Sequence, residues 1–203
     1  MSEESQKPWA PLSPGEIALV FAAATFPWWI AGGHSIEHFV GRPLRRHGDI
    51  DVLVLAKDRA RVRSFLAEWE CWAADPPGTL RPWVTGEELG VGVHDVWCRA
   101  AAGGPWRFQL MLDEGDGDIW RSRRCPLVCK PVAELRAPRS SHPPFLAPEV
   151  QLFYKAKAPR PKDTLDFDAC LPLLDERQRN WLRGAIAAAY GAENPWVRRF
   201  VTK

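Results

Sequence analysis

The sequence predicts an α+β fold, a mixed twisted sheet flanked by helices and followed by a helical C-terminal part. Three observations carry that expectation. Asp51-Val52-Leu53-Val54-Leu55 is a continuous apolar run, the pattern of a central strand covered on both faces. Segments 80–84, 91–99 and 106–112 are short, aromatic and β-branched, and Gly103-Gly104 turns the last two into a hairpin. From Glu149 onward the apolar residues recur at helical spacing. With 203 residues, 46% hydrophobic and 26% charged, the chain has the material for one ordinary globular domain with a small annex. We place the sheet-bearing domain at 1–135 and the helical region at 136–203.

The elements follow in order. Residues 1–12 are polar and Pro-containing, a loose arm. Ser13 as N-cap, Pro14 at the first helical position and Glu16 at the third open a helix expected over about 13–26. Residues 28–30 read as extended, Ala31-Gly32-Gly33 as a tight turn, and 34–40 as a short helix stopped by Gly41-Arg42-Pro43. Asp58 opens the next helix, with Val62, Phe65, Leu66 and Trp69 on its apolar side. Residues 114–119 are acidic and Gly-rich, a loop. The stretch 136–148 carries four prolines and reads as a linker. Helices are expected near 149–158, 163–171 and 175–190, the last opened by Asp175 with Gln178 and stopped by Gly191.

Composition excludes several classes. The 27 basic and 25 acidic residues leave a net charge of +2, too small for a chain held to nucleic acid by bulk charge. The five cysteines are odd in number and scattered, which argues for thiols in a reducing compartment rather than a disulfide framework. The apolar stretch 17–26 follows an acidic N-terminus and stops at Pro27, too short for a bilayer core of ~30 Å. A cytoplasmic protein with no membrane partner is the expectation. The 11 tryptophans against 2 tyrosines need a reason. Trp28, Trp69, Trp97, Trp106 and Trp181 fall on apolar faces and are expected in the core. Trp83, Trp120 and Trp196 have no such place and are candidates for a substrate wall.

The chemistry concentrates in 28–55. Asp49 and Asp51 stand two apart at the mouth of a strand, so both carboxylates share one face, about 7 Å apart along the strand. Like charges so placed repel unless a cation sits between them. Hard oxygen ligands at this spacing suit Mg²⁺, which takes the rest of its shell from water and phosphate oxygens. Upstream, Gly32-Gly33 lets backbone approach a ligand, and the helix that follows offers free N–H groups to an anion. Arg42, Arg45 and Arg46 lie between the two features, placed to meet phosphate charge.

Trp-x-x-Gly-Gly at 29–33, Gly-Arg-x-x-Arg-x-His at 41–47 and Asp-Ile-Asp at 49–51, in that order, resemble the nucleotidyltransferases of the DNA polymerase β superfamily. Within it they resemble the aminoglycoside 2″-adenylyltransferase and lincosamide nucleotidyltransferase branch. The resemblance extends to 147–168, through Ala-Pro-Glu-Val-Gln-Leu-Phe-Tyr-Lys-Ala-Lys and Arg-Pro-Lys-Asp-x-x-Asp-Phe. It implies a nucleotidyltransferase fold and transfer of a nucleoside monophosphate, AMP from ATP, to a hydroxyl of a small, aminoglycoside-like acceptor, with Mg²⁺ as metal. By motif position, Asp49 and Asp51 hold metal, and Gly32, Gly33, His34 and Ser35 face the nucleotide with Arg42 and Arg45. Lys155 neutralises the triphosphate, with Lys157 second. Such proteins also use a third carboxylate on a later strand, as metal ligand and base. There the sequence carries Gln109 mid-strand, so Asp113, on the same face by parity, is the expected third acid and Asp95 the alternative. The acidic loop from Asp113 to Asp118 is a charge lure for a cationic acceptor.

Two rival readings accompany this one. Arg121, Arg123 and Arg124 form a basic cluster suited to RNA or a macromolecular acceptor, though most such runs are solvated and nucleic acid is not favoured. A chain lacking a working third carboxylate would instead be a nucleotide-binding module.

Overall fold

A computed structural model describes residues 3–138 and 142–200. Residues 139–141 of the proline-rich stretch lie outside the described residues. The elements are α1 (Pro14–Val20), β1 (Trp28–Ile30), α2 (Gly32–Val40), β2 (Asp51–Leu55), α3 (Arg59–Phe65), β3 (Glu70–Ala74), β4 (Leu80–Pro82), β5 (Asp95–Arg99), β6 (Phe108–Asp113), β7 (Gly115–Asp116), β8 (Ile119–Ser122), β9 (Cys125–Pro131), α4 (Pro148–Lys155), α5 (Pro161–Cys170), α6 (Glu176–Tyr190) and α7 (Pro195–Arg198). Six strands form one mixed sheet in the order β1-β2-β6-β5-β3-β4, and three form a second sheet, β7-β8-β9. Strand β2 pairs antiparallel with β1 and parallel with β6, and β6 pairs antiparallel with β5.

The α+β reading holds. The predicted caps form: Ser13 and Glu16 close a capping box on α1, and Asp175 and Gln178 close one on α6. Helix α1 ends at Val20, earlier than expected, and α2 begins at Gly32, so the glycine pair is the first turn of the helix rather than a separate turn. The second sheet, over 115–131, and strand β3 were not foreseen. β7 carries Gly and β9 carries two Pro, which masks period-two alternation, while β3 and β8 are only five and four residues long, too short for the pattern to stand out.

Strand alternation splits the large sheet into two faces. One carries Val52, Val54, Leu110, Val96, Cys98 and Cys71, packed against Ile17 of α1, Phe21 at its C-cap and Val62 of α3. The other carries Trp29, Leu53, Leu55 and Met111 under Ile36 of α2, Val150 and Phe153 of α4, Leu182 of α6 and Trp120 of the small sheet. β2 is thus sandwiched, as its continuous apolar run predicts, and each fully buried Val or Leu there contributes about 1.5–3 kcal/mol. The arm before α1 is not loose where described. It runs along residues 106–107, with Ala10 N–H donating to Trp106 O and Leu12 N–H to Arg107 O, both at 2.9 Å. Among the described residues no helix is long and apolar enough to cross a membrane.

Candidate active site

The N-terminal end of β2 opens into a cleft of about 300 Å³ between α2 and the α4–α5 turn. Asp49, Asp51, Gly32, Gly33, Arg45, Lys155 and Lys157 all line it, so seven sequence-predicted residues come together. Asp51 stands opposite Gln109 in the parallel β2–β6 register. No hydrogen bond or ion pair among the described residues satisfies its carboxylate. Burial, then the Asp49 charge, push the Asp51 carboxyl up to about 7, with Asp95 adding to the effect and Lys155 and Lys162 opposing it. A pair of carboxylates that repel and lack a fixed cation is the donor set a hard divalent metal fits.

The two glycines are required by what faces them. A Cβ on Gly32 would lie 2.4 Å from Asp51 Oδ2, and its φ of +67° already favours glycine. A Cβ on Gly33 would lie 2.2 Å from His47 Cε1 and 2.5 Å from Arg45 Nη2. The Gly32 N–H, at the N-terminus of α2, donates to Gln151 Oε1 of α4 at 2.8 Å, which ties the cleft's two walls together. Ser35, expected to face phosphate, is buried, and its hydroxyl donates to Gly32 O at 2.9 Å. It braces the first turn of α2.

The loop between Gly41 and Asp49 is held by a clamp. Glu37 Oε1 accepts the N–H groups of Leu44 and Arg45 at 2.7 and 3.0 Å. His47 Nε2 lies 2.9 Å from the same oxygen, while Arg45 Nη1 donates to His47 Nδ1 at 3.0 Å. His34 packs its ring on His47, 4.2 Å between centroids. Donor atoms of His34, Glu37 and His47 lie within 4.8 Å of one another. The Arg45 donor, however, makes Nδ1 of His47 an acceptor and leaves the proton on Nε2, which suits a hydrogen-bonded clamp better than a metal. Burial lowers the His34 imidazole to about 4, so it is neutral at physiological pH. Arg42 stands exposed in this loop, outside the lining of the cleft.

Positive charge on the cleft comes from more residues than expected. Lys155 Nζ is committed to Asp163 and Asp166, both at 2.9 Å. Arg45 reaches Asp166 at 3.3 Å, and Arg160 holds Asp163 at 2.7 Å. Lys157, Lys162 and Arg124 line the cleft with no ion pair among the described residues. Lys162 and Arg160 lie in the quoted 147–168 segment, but lysine and arginine on a helix read first as a solvated face. Arg124, which the sequence marks only as part of a basic cluster, arrives through the turn between β8 and β9. Gln151 was equally unmarked.

The expected third carboxylate is placed elsewhere. Asp113 is on the predicted face of the sheet but opposite Leu55, four residues and about 13 Å along the strand from the Asp51–Gln109 pair. Its side chain is fully buried and accepts from Trp120 Nε1 at 2.7 Å and from the Tyr154 hydroxyl. That bonding seals it beneath the cleft wall, and burial raises its carboxyl. Asp95 is the acid whose charge reaches Asp51. It stands opposite Met111 on β5, accepts from Gln109 Nε2 at 3.0 Å, and has Arg123 Nη2 at 3.9 Å. Gln109, which displaced the expected acid, holds the alternative one. The acidic loop also lies away from the cleft: Lys57 donates to Gly117 O beyond the far end of β2. Trp83, Trp120 and Trp196 are buried at 1%, 0% and 2% exposure and form no wall.

The chain is similar to known proteins. The Aminoglycoside-2″-adenylyltransferase family model matches residues 16–79, which span the glycine pair, the clamp and both aspartates. The crystal structure of ANT(2″)-Ia in complex with adenylyl-2″-tobramycin is similar at 15% identity, covering 85% of this chain and 94% of that one, with a TM-score of 0.51. The solution structure of the antibiotic-resistance factor ANT(2″)-Ia gives 17%, 88%, 91% and 0.53 in the same order. The lincosamide antibiotic adenylyltransferase LnuA with lincomycin bound gives 14%, 79%, 95% and 0.51. No curated protein sequence matches. The chain therefore has the fold of the antibiotic nucleotidyltransferases, and its sequence resemblance to the aminoglycoside 2″-adenylyltransferases lies in the segment that carries the glycine pair and both aspartates.

Proposed function

We propose that this chain is a metal-dependent nucleotidyltransferase that moves AMP from ATP to a hydroxyl of a small antibiotic-like molecule. The observation that carries the reading is the unpartnered Asp49–Asp51 pair facing the Gly32-Gly33 end of α2 in a cleft rich in lysine and arginine. Asp49 and Asp51, with Asp95, are the residues to hold Mg²⁺, which would supply charge neutralisation at the reacting phosphate. Lys157, Lys162 and Arg124 meet the triphosphate. The acceptor oxygen forms a bond to the α-phosphorus, the bond from that phosphorus to the bridging oxygen breaks, and pyrophosphate leaves with the electron pair. The hydroxyl proton passes to Asp95, held for that role by Gln109.

The macromolecular alternative loses its support, because Arg123 and Arg124 turn inward, toward Asp95 and the cleft, and only Arg121 faces solvent freely. The binding-module alternative rests on a missing third acid, and Asp95, the further carboxylate whose charge reaches Asp51, is the residue that speaks against it. Release of pyrophosphate from ATP, Mg²⁺ and a panel of hydroxyl-bearing antibiotics tests the proposal. Acceptor-dependent release that vanishes in Asp51→Asn supports it. No release with any acceptor, or release untouched by that substitution, overturns it.

A further inference from the structure

Two thiols that the proposed reaction does not use face each other inside the large sheet. Cys71 on β3 stands directly opposite Cys98 on β5 in the antiparallel register. Cys71 O accepts from the Trp83 N–H and Cys98 O from the Arg107 N–H, both at 2.8 Å, so each backbone turns away from the other strand. The two residues are therefore a non-hydrogen-bonded pair, the kind whose Cα atoms approach to about 4.5 Å and whose side chains lie closest. That separation falls within the span a disulfide bridges, ~4.4–6.8 Å. The Cys98 S–H donates to Cys71 Sγ at 3.7 Å, and both cysteines are free thiols.

A buried cation sits beside the pair. Arg63 of α3 is buried, and its guanidinium donates to Trp83 O at 2.8 Å and to Leu66 O at 2.9 Å. Both partners are neutral carbonyls, and among the described residues its charge meets no carboxylate. That charge reaches both sulfurs and favours a thiolate at either. The bond from the Cys98 S–H holds the Cys71 thiol below its ordinary value, with burial opposing and Arg63 assisting. Burial pushes the Cys98 thiol up. The pair is thus asymmetric, with a nucleophile at Cys71 and a protonated thiol at Cys98.

Both side chains are buried in the apolar layer that also holds Val62, Leu66 and Trp83, yet the edge of the sheet is near. Only β4, three residues long, lies outside β3. A short edge strand opens locally at lower cost than the centre of a sheet, and such opening admits a small peroxide. Strand alternation puts Cys71 and Cys98 on the face that carries Val52, opposite to the face of Asp51 and the cleft.

We propose that Cys71 and Cys98 are a reversible oxidation site, at which hydrogen peroxide forms a disulfide that staples β3 to β5. The Cys71 thiolate attacks one peroxide oxygen, the O–O bond breaks, and the departing hydroxide takes the proton that Cys71 gave up and leaves as water. The Cys98 sulfur then attacks the sulfenic sulfur of Cys71. The S–O bond breaks, and the hydroxyl leaves with the Cys98 proton as a second water. Two electrons pass from the sulfurs to the peroxide, and a dithiol reductant returns two electrons and two protons. The bridge closes the loop from 71 to 98 and so restricts the unfolded chain. It acts on stability from the face away from the cleft, so it stands apart from the nucleotidyltransferase reading.

The test treats the dilute full chain with a small excess of hydrogen peroxide, denatures it, blocks the remaining thiols with N-ethylmaleimide and maps the peptides by mass spectrometry. The expectation is a cross-linked peptide joining Cys71 to Cys98, whose two parts separate on reduction. The melting temperature of the oxidised chain rises by roughly 5–10 °C, and dithiothreitol reverses the rise. Cys71→Ala and Cys98→Ala each abolish both the cross-link and the shift. The wild-type peptide map decides the matter even if a variant does not fold. Recovery of both residues as maleimide adducts, a bridge joining any other pair in their place, or oxidation of Cys71 past the sulfenic acid without a bridge overturns the proposal. So does a 71–98 bridge that leaves the melting temperature unchanged.

Discussion

Asp51 and Asp113 lie on the same face of neighbouring parallel strands, four residues apart in register, and their surroundings differ completely. Asp51, at the mouth, has no side-chain partner among the described residues, and a second carboxylate nearby raises its pKa. Asp113, at the sealed end, has one oxygen taken by Trp120 and Tyr154 and no access to the cleft. The same side chain lines an open cleft in one place and is a buried anchor in the other, where Oδ2 takes both donors and Oδ1 has only the Arg123 guanidinium, 3.7 Å away. The difference lies in what covers the strand. Over Asp51 the helices leave a gap that the glycine pair keeps clear, while over Asp113 the small sheet and α4 close.

The contrast is sharpest in catalysis. Asp49→Asn and Asp51→Asn should each lower nucleotidyl transfer by roughly 10³-fold or more, measured as kcat for pyrophosphate release, because each removes a ligand from the charge-neutralising site. Asp95→Asn should cost on the order of 10²–10⁴ in kcat with little change in the ATP KM, as loss of a base does. Asp113→Asn reverses the pattern. It should leave kcat within a few-fold of wild type but lower unfolding stability by about 1–3 kcal/mol, because the Trp120 and Tyr154 donors lose a charged acceptor. If Asp113→Asn abolishes chemistry and Asp95→Asn does not, the two assignments exchange places.

Stability against pH separates the two aspartates again. Because the folded chain raises the Asp51 pKa from 3.8 to about 7, it binds that proton more tightly than the unfolded chain does. Ionising Asp51 therefore removes stability progressively as pH rises across that window. In metal-free buffer, Asp51→Asn should match wild type below pH 4 and exceed it at pH 8 by on the order of 2 kcal/mol, read from urea midpoints. A constant difference at all pH values would mean that Asp51 is already paired. The smallest effect falls on the flexible cations. Lys157→Gln or Lys162→Gln should each weaken ATP binding by roughly three- to tenfold, an effect that shrinks as salt is raised.

Much of the cleft was legible because its parts are local. The glycine pair, the Arg45–His47 loop and the Asp49–Asp51 spacing sit within one short stretch, and each residue type names its task. The third carboxylate was not legible. Strand parity places Asp113 on the right face but says nothing about which end of the strand lies open, and Asp95 reaches Asp51 only because β5 pairs with β6. Arg124 and Gln151 arrive from elements distant in sequence, through a turn of the unforeseen small sheet and through α4. Trp97 misled for a related reason. An aromatic residue in an apolar-looking strand is core only if it is covered on all sides, and Trp97 is half-buried, met edge-on by Trp9 and Trp106.

The contact between Gly33 and the His47 imidazole ties two positions fourteen residues apart into one unit of inheritance. A side chain at 33 is intolerable while His47 and Arg45 fill that space, and a change at His47 alone opens a gap with no benefit until 33 grows. Neither step is acceptable alone, so the pair should persist together or be replaced together. An engineer recombining this segment with a distant homologue should move residues 32 through 51 as a single block.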